Sequence, residues 1–306
     1  GPSREPVPFR YHPSQWKKVP REFLDDAAAV TLYYGNTYLL EADGTVETIT
    51  HEITRFNGRK AIEKLGEYRQ ISYTPSYEKL TLNLARVLKA DGRMVTIEPK
   101  HVQLRDISTD YQVYDHGKQL IISFPNLEVG DAIEVKWTTR GKNPEYLGHF
   151  FTRYTFGDDD YPLVLDELRI RVPKEKPFKY ATVGGKLEPV VREEGETRTY
   201  YWRVTNQRQR ARDENAPSRE SLRLQVACST FSSWDEVCQW KRRLRAECWQ
   251  CTPELRKVVA EVTRDLATPL EKARALTYWV RRNIRYVSSG EKHDYTPHAP
   301  ALVLAN

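Results

Sequence analysis

The sequence is poor in the features that mark several common classes of protein. It holds four cysteines, one methionine and 15 glycines among 306 residues, too little cysteine for a disulfide-rich scaffold. No apolar run approaches the ~20 residues that cross a bilayer, so no membrane span is predicted. The chain has no Walker motif, no G-x-S-x-G and no dinucleotide-binding fingerprint. It therefore lacks the motifs of P-loop nucleotide-binding proteins, of serine hydrolases with a nucleophile elbow and of dinucleotide-binding enzymes. No cofactor is predicted.

A metal site also finds little support in the sequence. Cys248-Trp249-Gln250-Cys251 has the C-x-x-C spacing that can hold zinc or perform redox chemistry, but Cys228 and Cys238 do not form a second matching pair. Incidental or core thiols are the favoured interpretation, with Cys238 and Cys248 at apolar positions of a predicted helix; a disulfide and a zinc site are the alternatives. The seven histidines include no helical i, i+4 pair, and the acidic loop at residues 157–160 lacks the EF-hand pattern.

Positive charge is concentrated in the last third of the chain. The net charge is +6, and residues 216–306 contribute +5 of it, with 15 Lys/Arg against 10 Asp/Glu. The basic stretches at 203–212 and 241–245 carry neither a recognisable motif nor interleaved exposed aromatic residues. We interpret them as a linker and a solvated helix face, and predict no nucleic-acid partner. The oligomeric state does not follow from the sequence.

Residues 26–215 are predicted to form a β-rich domain. Two segments alternate between apolar and polar residues around the tips Asp43-Gly44 and Asp91-Gly92, and Asp-Gly supplies the positive φ that tight hairpins need. A third strand pair is predicted in residues 118–140, turned by residues 128–131. Further strands follow at short intervals to about residue 206, with one helical turn near residues 59–65. The pattern favours a mainly β fold of antiparallel, sandwich-like sheets.

The two ends of the chain differ from this body. Residues 1–25 are proline-rich and aperiodic, which indicates an extended arm, and Gly1-Pro2-Ser3 is typical of the remnant of a cleaved tag. Residues 216–306 have a helical period, with predicted N-caps at Ser233, Thr252 and Thr268. The predicted buried faces are Trp234, Val237, Cys238, Leu244 and Cys248 in the first helix, Leu255, Val258, Val259, Val262 and Leu266 in the second, and Ala273, Leu276, Val280 and Ile284 in the third.

Two parts of the sequence resemble known families. "LEKARALTYWVRRNIRYVSS" and "YTPHAPALVLAN" resemble the lead-in to a bacterial transglutaminase-like domain, of the papain-related cysteine enzymes. "SYTPSYEKLTLNLARVLKADGRMVTIEP", "SFPNLEVGDAIEVKW" and "FGDDDYPL" resemble the β-rich domain of unknown function that commonly precedes such domains in bacteria. The matching residues of the first resemblance are Ala275, Tyr278-Trp279-Val280, Ile284, Tyr286, Pro300 and Val303-Leu304-Ala305.

The resemblance implies the N-terminal region of a cysteine acyltransferase or protease that acts on glutamine side chains or peptide bonds. Residues 216–306 are then the incomplete start of an α+β transglutaminase-like domain. Its catalytic Cys is expected just after Asn306, and the His and Asp further on, so this chain holds no catalytic residue and is inactive alone. Trp279, Tyr286 and His298 are candidates for a cleft wall; core positions for the two aromatic residues and a surface position for the histidine are the alternatives.

The resemblance also bears on partners and location. It implies a protein or peptide substrate, and because families of this type are often exported, it favours a periplasmic or secreted protein. A second interpretation is a non-catalytic β-sandwich module that binds a protein or a partner of the cell envelope.

Overall fold

The structure is a computed structural model that describes residues 18–66, 68–107, 117–158, 160–209, 223–285 and 295–305. It divides into two compact units: the first holds the described residues up to Ser232, and the second those from Ser233 onward. The first unit is mostly β and the second is helical. The predicted mainly β fold followed by a helical segment is therefore confirmed.

Strands dominate the first unit and form three sheets within the described residues. In chain order the strands are β1 (Ala29–Leu40), β2 (Val46–Phe56), β3 (Tyr68–Tyr73), β4 (Glu78–Leu88), β5 (Met94–Thr96), β6 (Val102–Asp106), β7 (Lys118–Ser123), β8 (Ala132–Gly141), β9 (Phe151–Thr155), β10 (Leu163–Pro173), β11 (Lys179–Val183), β12 (Val190–Glu194), β13 (Thr197–Gln207) and β14 (Gln225–Ser229). The short helices are α1 (Arg21–Asp25) and α2 (Arg59–Ala61), which a π turn continues at Ile62–Gly66, with 3-10 turns at Pro99–His101 and Pro144–Tyr146.

The largest sheet has eight strands in the order β12-β13-β10-β1-β2-β8-β4-β5. Its central strands β1 and β2 are rich in aromatic and β-branched residues, which suit a pleated, half-buried surface. All neighbours are antiparallel except β1 and β10, which run parallel with Tyr34 opposite Asp166. The prediction of antiparallel sheets missed this pair, because no local turn signal connects strands that lie so far apart in sequence.

Both Asp-Gly hairpins are confirmed. β1 pairs with β2 around Gly44, and β4 pairs with β5 around Gly92. The two glycines have φ of 91° and 93°, a region that side chains with a Cβ rarely adopt. The Asp43 carboxylate accepts a hydrogen bond from the Thr45 N–H at 2.9 Å, which fixes the first turn locally.

The third predicted hairpin, between β7 and β8, is wrong. Its turn forms, since the Asp131 N–H donates to the Glu128 carbonyl at 3.1 Å and Gly130 has φ of 101°. However, β7 lies between β3 and β6 in a small sheet, whereas β8 lies between β2 and β4 in the large sheet. Both strands are apolar enough to pair with several partners, so packing between sheets decides their places.

Two three-stranded sheets cover one face of the large sheet. The sheet β3-β7-β6 shares an apolar cluster with β2, β4 and β8, and the sheet β11-β14-β9 shares another with β10 and β13. The first cluster includes Phe56, Ile71, Val87, Ile122 and Val135, and the second includes Tyr154, Leu168, Trp202, Val226 and Cys228. A third cluster, containing Phe23 of α1 with Leu32 and Ile53, lies on the opposite face of the large sheet.

The strand β14 bears on the domain boundary that we predicted at residue 215 from the change to a helical period. β14 pairs with β11 and β9 of the first unit. The compact units accordingly meet between Ser232 and Ser233, after this strand has returned to the β-rich body. The boundary at residue 215 stays a prediction. A strand of five residues such as β14 has too weak a sequence pattern to be recognised before the structure is known.

The second unit consists of helices whose starts agree with the predicted caps. They are α3 (Trp234–Leu244), α4 (Pro253–Thr263), α5 (Pro269–Asn283) and α6 (Pro300–Ala305), with a 3-10 turn at Ala246–Trp249. Ser233, Thr252 and Thr268 each accept a hydrogen bond from a first-turn N–H, and Thr268 forms a full capping box with Glu271. In the described part of the chain, no helix is long and apolar enough to cross a membrane.

The buried faces of the helices were predicted only in part. In α3, Val237, Leu244 and Cys248 are at least half-buried as predicted, whereas Trp234 is 83% exposed and Cys238 is exposed. The prediction left out Trp240, which lies one turn from Val237 and Leu244 and is buried against Tyr295 with ring centroids 5.3 Å apart. In the other two helices and at their ends, the predicted residues that are at least half-buried are Leu255, Val258, Val262, Leu266, Leu276 and Ile284, whereas Val259, Ala273 and Val280 are exposed.

The two Asp-Gly tips allow a matched test of backbone packing. A Cβ on Gly44 would lie 2.5 Å from the Cα of Gly148, whereas a Cβ on Gly92 would meet nothing within 4 Å. We expect Gly92→Ala to lower the free energy of unfolding by about 1 kcal/mol, through its positive φ alone. Gly44→Ala should cost at least about 1 kcal/mol more, because backbone must move. Urea unfolding of both variants measures this, and equal costs would contradict the close approach.

Candidate functional site: a polar cleft in the first unit

A polar cleft of about 610 Å³ opens over the large sheet. Residues from β1, β2, β8 and β10 contribute to it, together with β3 of one small sheet and β9 of the other. Its lining consists of Thr31, Tyr34, Glu52, Thr54, Arg69, Gln70, Trp137, Thr155, Gly157, Asp158, Leu163 and Asp166. The cleft therefore lies between the two small sheets, above the large sheet and between the two apolar clusters.

The floor of the cleft is a row of three polar side chains on neighbouring strands. Tyr34 of β1 lies opposite Asp166 of β10 and opposite Glu52 of β2. Directly opposed residues point to the same face of a sheet, so the three side chains stand side by side. Glu52 is 3% exposed and Asp166 is 1% exposed, which makes them buried carboxyl groups that need partners.

Arg69 is the partner of Glu52. It crosses from β3 and binds both carboxylate oxygens, through Nε to Oε1 and through Nη2 to Oε2, the second at 2.6 Å. Burial works against the charge of Arg69, but the Glu52 carboxylate outweighs burial and holds the pKa of the guanidinium above its usual value. This bidentate pair connects a small sheet to the large one.

Asp166 has uncharged partners instead. The Tyr154 hydroxyl donates to Oδ1, and the Gly157 N–H donates to Oδ2 at 2.8 Å. Burial raises the pKa of the Asp166 carboxyl to about 6, although both hydrogen bonds favour the ionised form. Burial and then the nearby charge of Glu52 raise the pKa of Tyr34 to about 12, so its hydroxyl stays protonated near neutral pH.

The remaining lining adds hydroxyls, an aromatic ring and a rim carboxylate. Thr31 and Thr54 are 9% and 6% exposed, and their side chains have no hydrogen-bond partner in the part of the chain that the structure describes. Trp137 contributes an indole from β8, and Asp158 is exposed at the edge. The lining thus holds three acidic groups against the single cation Arg69, which suits a ligand with hydrogen-bond donors.

The opposite face of the large sheet carries a second polar network. Glu134 accepts hydrogen bonds from Arg86 and from the ring of His51, the latter at 2.8 Å. Burial opposes ionisation of Glu134, but these two partners outweigh it and lower the pKa of the carboxyl. None of the three residues lines the cleft, so we interpret this network as structural.

The residues proposed from sequence for a cleft wall fall in the second unit. Trp279 is half-buried on α5 and His298 is exposed before α6, while Tyr286 lies outside the described residues. Their role remains a prediction. No group of three or more His, Cys, Asp or Glu side chains in the described ranges is arranged to hold a metal ion.

The four cysteines are free thiols. Cys228 is buried, in agreement with a core thiol. Cys238, which was predicted at an apolar helix position, is exposed. Cys248 is half-buried after α3, and its Sγ lies 3.3 Å from the carbonyl oxygen of Pro297.

Sequence reasoning missed the polar cleft, although two local signals pointed to it. In β2, Glu52 stands in register with Thr50 and Thr54, a polar row in the second half of the strand, where most residues are buried. In β10, Asp166 is the polar residue at one end of a face that continues with Leu168, Ile170 and Val172. A buried carboxyl in a central strand indicates a partner from another element, but the sequence does not identify Arg69 or Tyr154 as those partners.

The fold and the site define a layered β-rich domain built around a polar cleft and followed by a helical segment. The sequence pattern of DUF3857, a domain of unknown function, matches residues 42–210. This is more than half of the chain, and the chain belongs to that family. The predicted relationship to a β-rich domain of unknown function is thereby confirmed.

Comparison with solved structures extends the likeness beyond this domain. The fold is similar to that of a crystal structure described as "a putative protease" from Parabacteroides distasonis, with a TM-score of 0.75, 16% identity and coverage of 84% of this chain and 50% of that one. This chain thus spans about half of the length of that structure. At such identity the likeness shows the fold alone.

Other comparisons add little. An M1 zinc metallopeptidase from Deinococcus radiodurans aligns over 65% of this chain and 42% of its own, with 10% identity and a TM-score of only 0.33, which carries no argument. Among curated proteins, none matches the sequence.

The raised pKa of Asp166 gives a pH dependence that can be tested. The folded state holds this proton up to about pH 6, while the unfolded carboxyl loses it near 3.8. The free energy of unfolding should therefore fall as pH rises from about 4 to 6, and this group adds no further change above. At about 1.4 kcal/mol per pKa unit the loss is at most roughly 3 kcal/mol. Asp166→Asn should remove it in denaturant unfolding at several pH values.

The exposed Asp106 provides the control, because its side chain is 84% exposed. Asp106→Asn should leave the pH dependence as in the unaltered protein. If Asp166→Asn also leaves it unchanged, the carboxyl does not bind its proton more tightly in the folded state.

The Glu52–Arg69 pair gives a second test. Glu52→Gln leaves the guanidinium without its carboxylate, and we expect a loss of about 2 kcal/mol, discounted because the Arg69 side chain is 32% exposed. Glu128→Gln is the matched control, since Glu128 pairs with Lys89 but is 77% exposed. It should cost less than about 0.5 kcal/mol. Urea unfolding compares the two, and similar costs would contradict a buried ion pair.

Proposed function

We propose that this chain is the N-terminal part of a transglutaminase-like cysteine enzyme that acts on glutamine side chains or peptide bonds. The observation that supports it most is the extent of the structural likeness. The likeness covers 84% of the chain, while the first unit ends at Ser232 of 306 residues, so it reaches into the helical unit. The Parabacteroides protein is described as "a putative protease", and the end of the helical unit resembles the approach to a catalytic Cys.

The cysteines of this chain support a nucleophile located beyond Asn306. Burial raises the pKa of the Cys228 thiol to about 12, so it is protonated and unreactive near neutral pH. The Sγ of Cys248 contacts the carbonyl oxygens of Pro297 and His298, and within the described residues it makes no hydrogen bond to an imidazole. No cysteine in the described residues has a histidine ring as its hydrogen-bond partner, and thus none has a general base.

The proposed chemistry is acyl transfer through a thioester. A thiolate attacks the carbonyl carbon of a glutamine amide or a peptide bond, and ammonia or the peptide amine leaves with a proton from a histidine. Water or another amine then cleaves the thioester and regenerates the thiol. Trp279, Tyr286 and His298 remain our candidates for one wall of the proposed active-site cleft, which would hold this acyl group and is distinct from the polar cleft of the first unit.

The second candidate is a non-catalytic binding module. The polar cleft favours it, because the cleft has the volume of a small-molecule site and lies wholly within the first unit, with ten of its twelve lining residues in the stretch that matches DUF3857. In this case the β-rich body binds a protein or a partner of the cell envelope, and the helical unit only supports it.

The experiment uses the protein translated from the whole gene. With a glutamine-containing peptide and hydroxylamine, we expect hydroxamate formation or peptide cleavage that iodoacetamide abolishes. Cys→Ser at the first cysteine after Asn306 should lower the rate by at least roughly 1,000-fold, since nucleophile and base act as a unit. The control variant carries Cys228→Ser, Cys238→Ser, Cys248→Ser and Cys251→Ser, and should keep its activity within about twofold, because none of the four thiols touches substrate.

Three outcomes would overturn the proposal. The first is a gene with no cysteine soon after residue 306, and the second is activity that survives alkylation of every thiol. The third is loss of activity in the control variant that carries all four substitutions within this chain.

A further inference from the structure

We propose that the cleft over Asp166, Tyr34 and Glu52 binds a primary ammonium group, such as the end of a lysine side chain. The proposal concerns the first unit alone, and it does not depend on any catalytic activity of the protein. It assigns to the first unit a site for a cationic ligand.

The size of the cleft agrees with a small ligand. Its volume of about 610 Å³ lies within the roughly 300–1,000 Å³ of small-molecule sites. Apolar clusters flank it on both sides, yet its own floor is polar. A gap that served only packing would be closed by apolar side chains, which fill the neighbouring space under both small sheets.

The hydroxyls of Thr31 and Thr54 are the evidence that the cleft takes a ligand. Thr54 is 6% exposed and Thr31 is 9% exposed, and both residues line the cleft. Neither side chain has a hydrogen-bond partner among the residues that the structure describes. The two hydroxyls are not among the fully enclosed side-chain atoms that lack a partner in the described residues, so they open into the cleft and are available to hydrogen-bond to a molecule that occupies it.

The charges of the lining select the kind of ligand. The guanidinium of Arg69 binds both carboxylate oxygens of Glu52. Its charge is therefore neutralised by Glu52 and does not attract an anionic ligand. Asp166 and the rim residue Asp158 add two more carboxyl groups without a matching cation in the lining. An anionic ligand would therefore be repelled, whereas a cation would be attracted.

The geometry favours an ammonium group over a metal ion. The lining offers oxygen atoms as acceptors from Thr31, Thr54, Glu52 and Asp166, and an ammonium has three N–H donors to share among them. No group of three or more metal-ligating side chains occurs in the described ranges. The indole of Trp137 and the ring of Tyr34 can take the alkyl stem beside the charge.

The test measures binding of N-acetyl-lysine methylamide to the chain by calorimetry. Two analogues of the same backbone serve as controls: the norleucine compound lacks the ammonium, and the glutamate compound carries an anion. We expect each control to bind at least roughly tenfold more weakly than the lysine compound. n-Butylamine shows whether the ammonium and its alkyl stem suffice without the peptide backbone. Amide NMR shifts on lysine binding should concentrate at Thr31, Tyr34, Thr54 and Asp166.

Two variants separate the cleft from the rest of the strand. Thr54→Val keeps the shape but removes a hydroxyl, and should weaken lysine binding roughly tenfold. Thr48→Val is the matched control on the same strand, and Thr48 does not line the cleft. It should leave the affinity unchanged, and thermal unfolding verifies that both variants fold.

The proposal is overturned by equal affinity for the lysine and norleucine compounds, or by equal or tighter binding of the glutamate compound. It is also overturned if the NMR shifts lie away from the cleft, or if Thr54→Val binds lysine as well as Thr48→Val does.

Discussion

The parallel pairing of β1 with β10 is the interaction on which the first unit depends. On one side of this pairing the sheet contains β1, β2, β8, β4 and β5. On the other side it contains β10, β13 and β12. Without this one ladder the two halves would be separate small sheets. Each half carries its own small covering sheet and its own apolar cluster, so the pairing also brings the two clusters to one face.

The same ladder assembles the polar cleft. It sets Asp166 beside Tyr34, and the β1–β2 hairpin sets Tyr34 beside Glu52. Two buried carboxyl groups then stand in one row and have different partners: Glu52 pairs with Arg69, while Asp166 accepts hydrogen bonds from uncharged donors and has a raised pKa. Burial without full compensation costs stability, and such groups are typical of binding sites.

The functional conclusions come from different parts of the chain. Membership of the DUF3857 family and the cleft concern the first unit, whereas the proposed enzyme chemistry depends on the helical unit and on residues beyond Asn306. A protein of this kind can combine a binding site in its β-rich domain with catalysis elsewhere. The two proposals can therefore succeed or fail separately.

The sequence by itself determined the elements that short-range chemistry controls. These are the Asp-Gly hairpins, the helix starts at Ser233, Thr252 and Thr268, and the mainly β character of the body. Each depends on residues within a few positions of one another, where φ preferences and cap hydrogen bonds act. The family resemblance of the β-rich part was also visible in the sequence.

Only the tertiary structure decided the rest. It separated β7 from β8, paired β1 with β10, buried Trp240 against Tyr295, and placed Arg69 on Glu52. The alternation of a strand shows which face is buried, but not which strand becomes its neighbour. That choice belongs to long-range packing of apolar surfaces and pairing of buried charges, and the cleft exists only once it has been made.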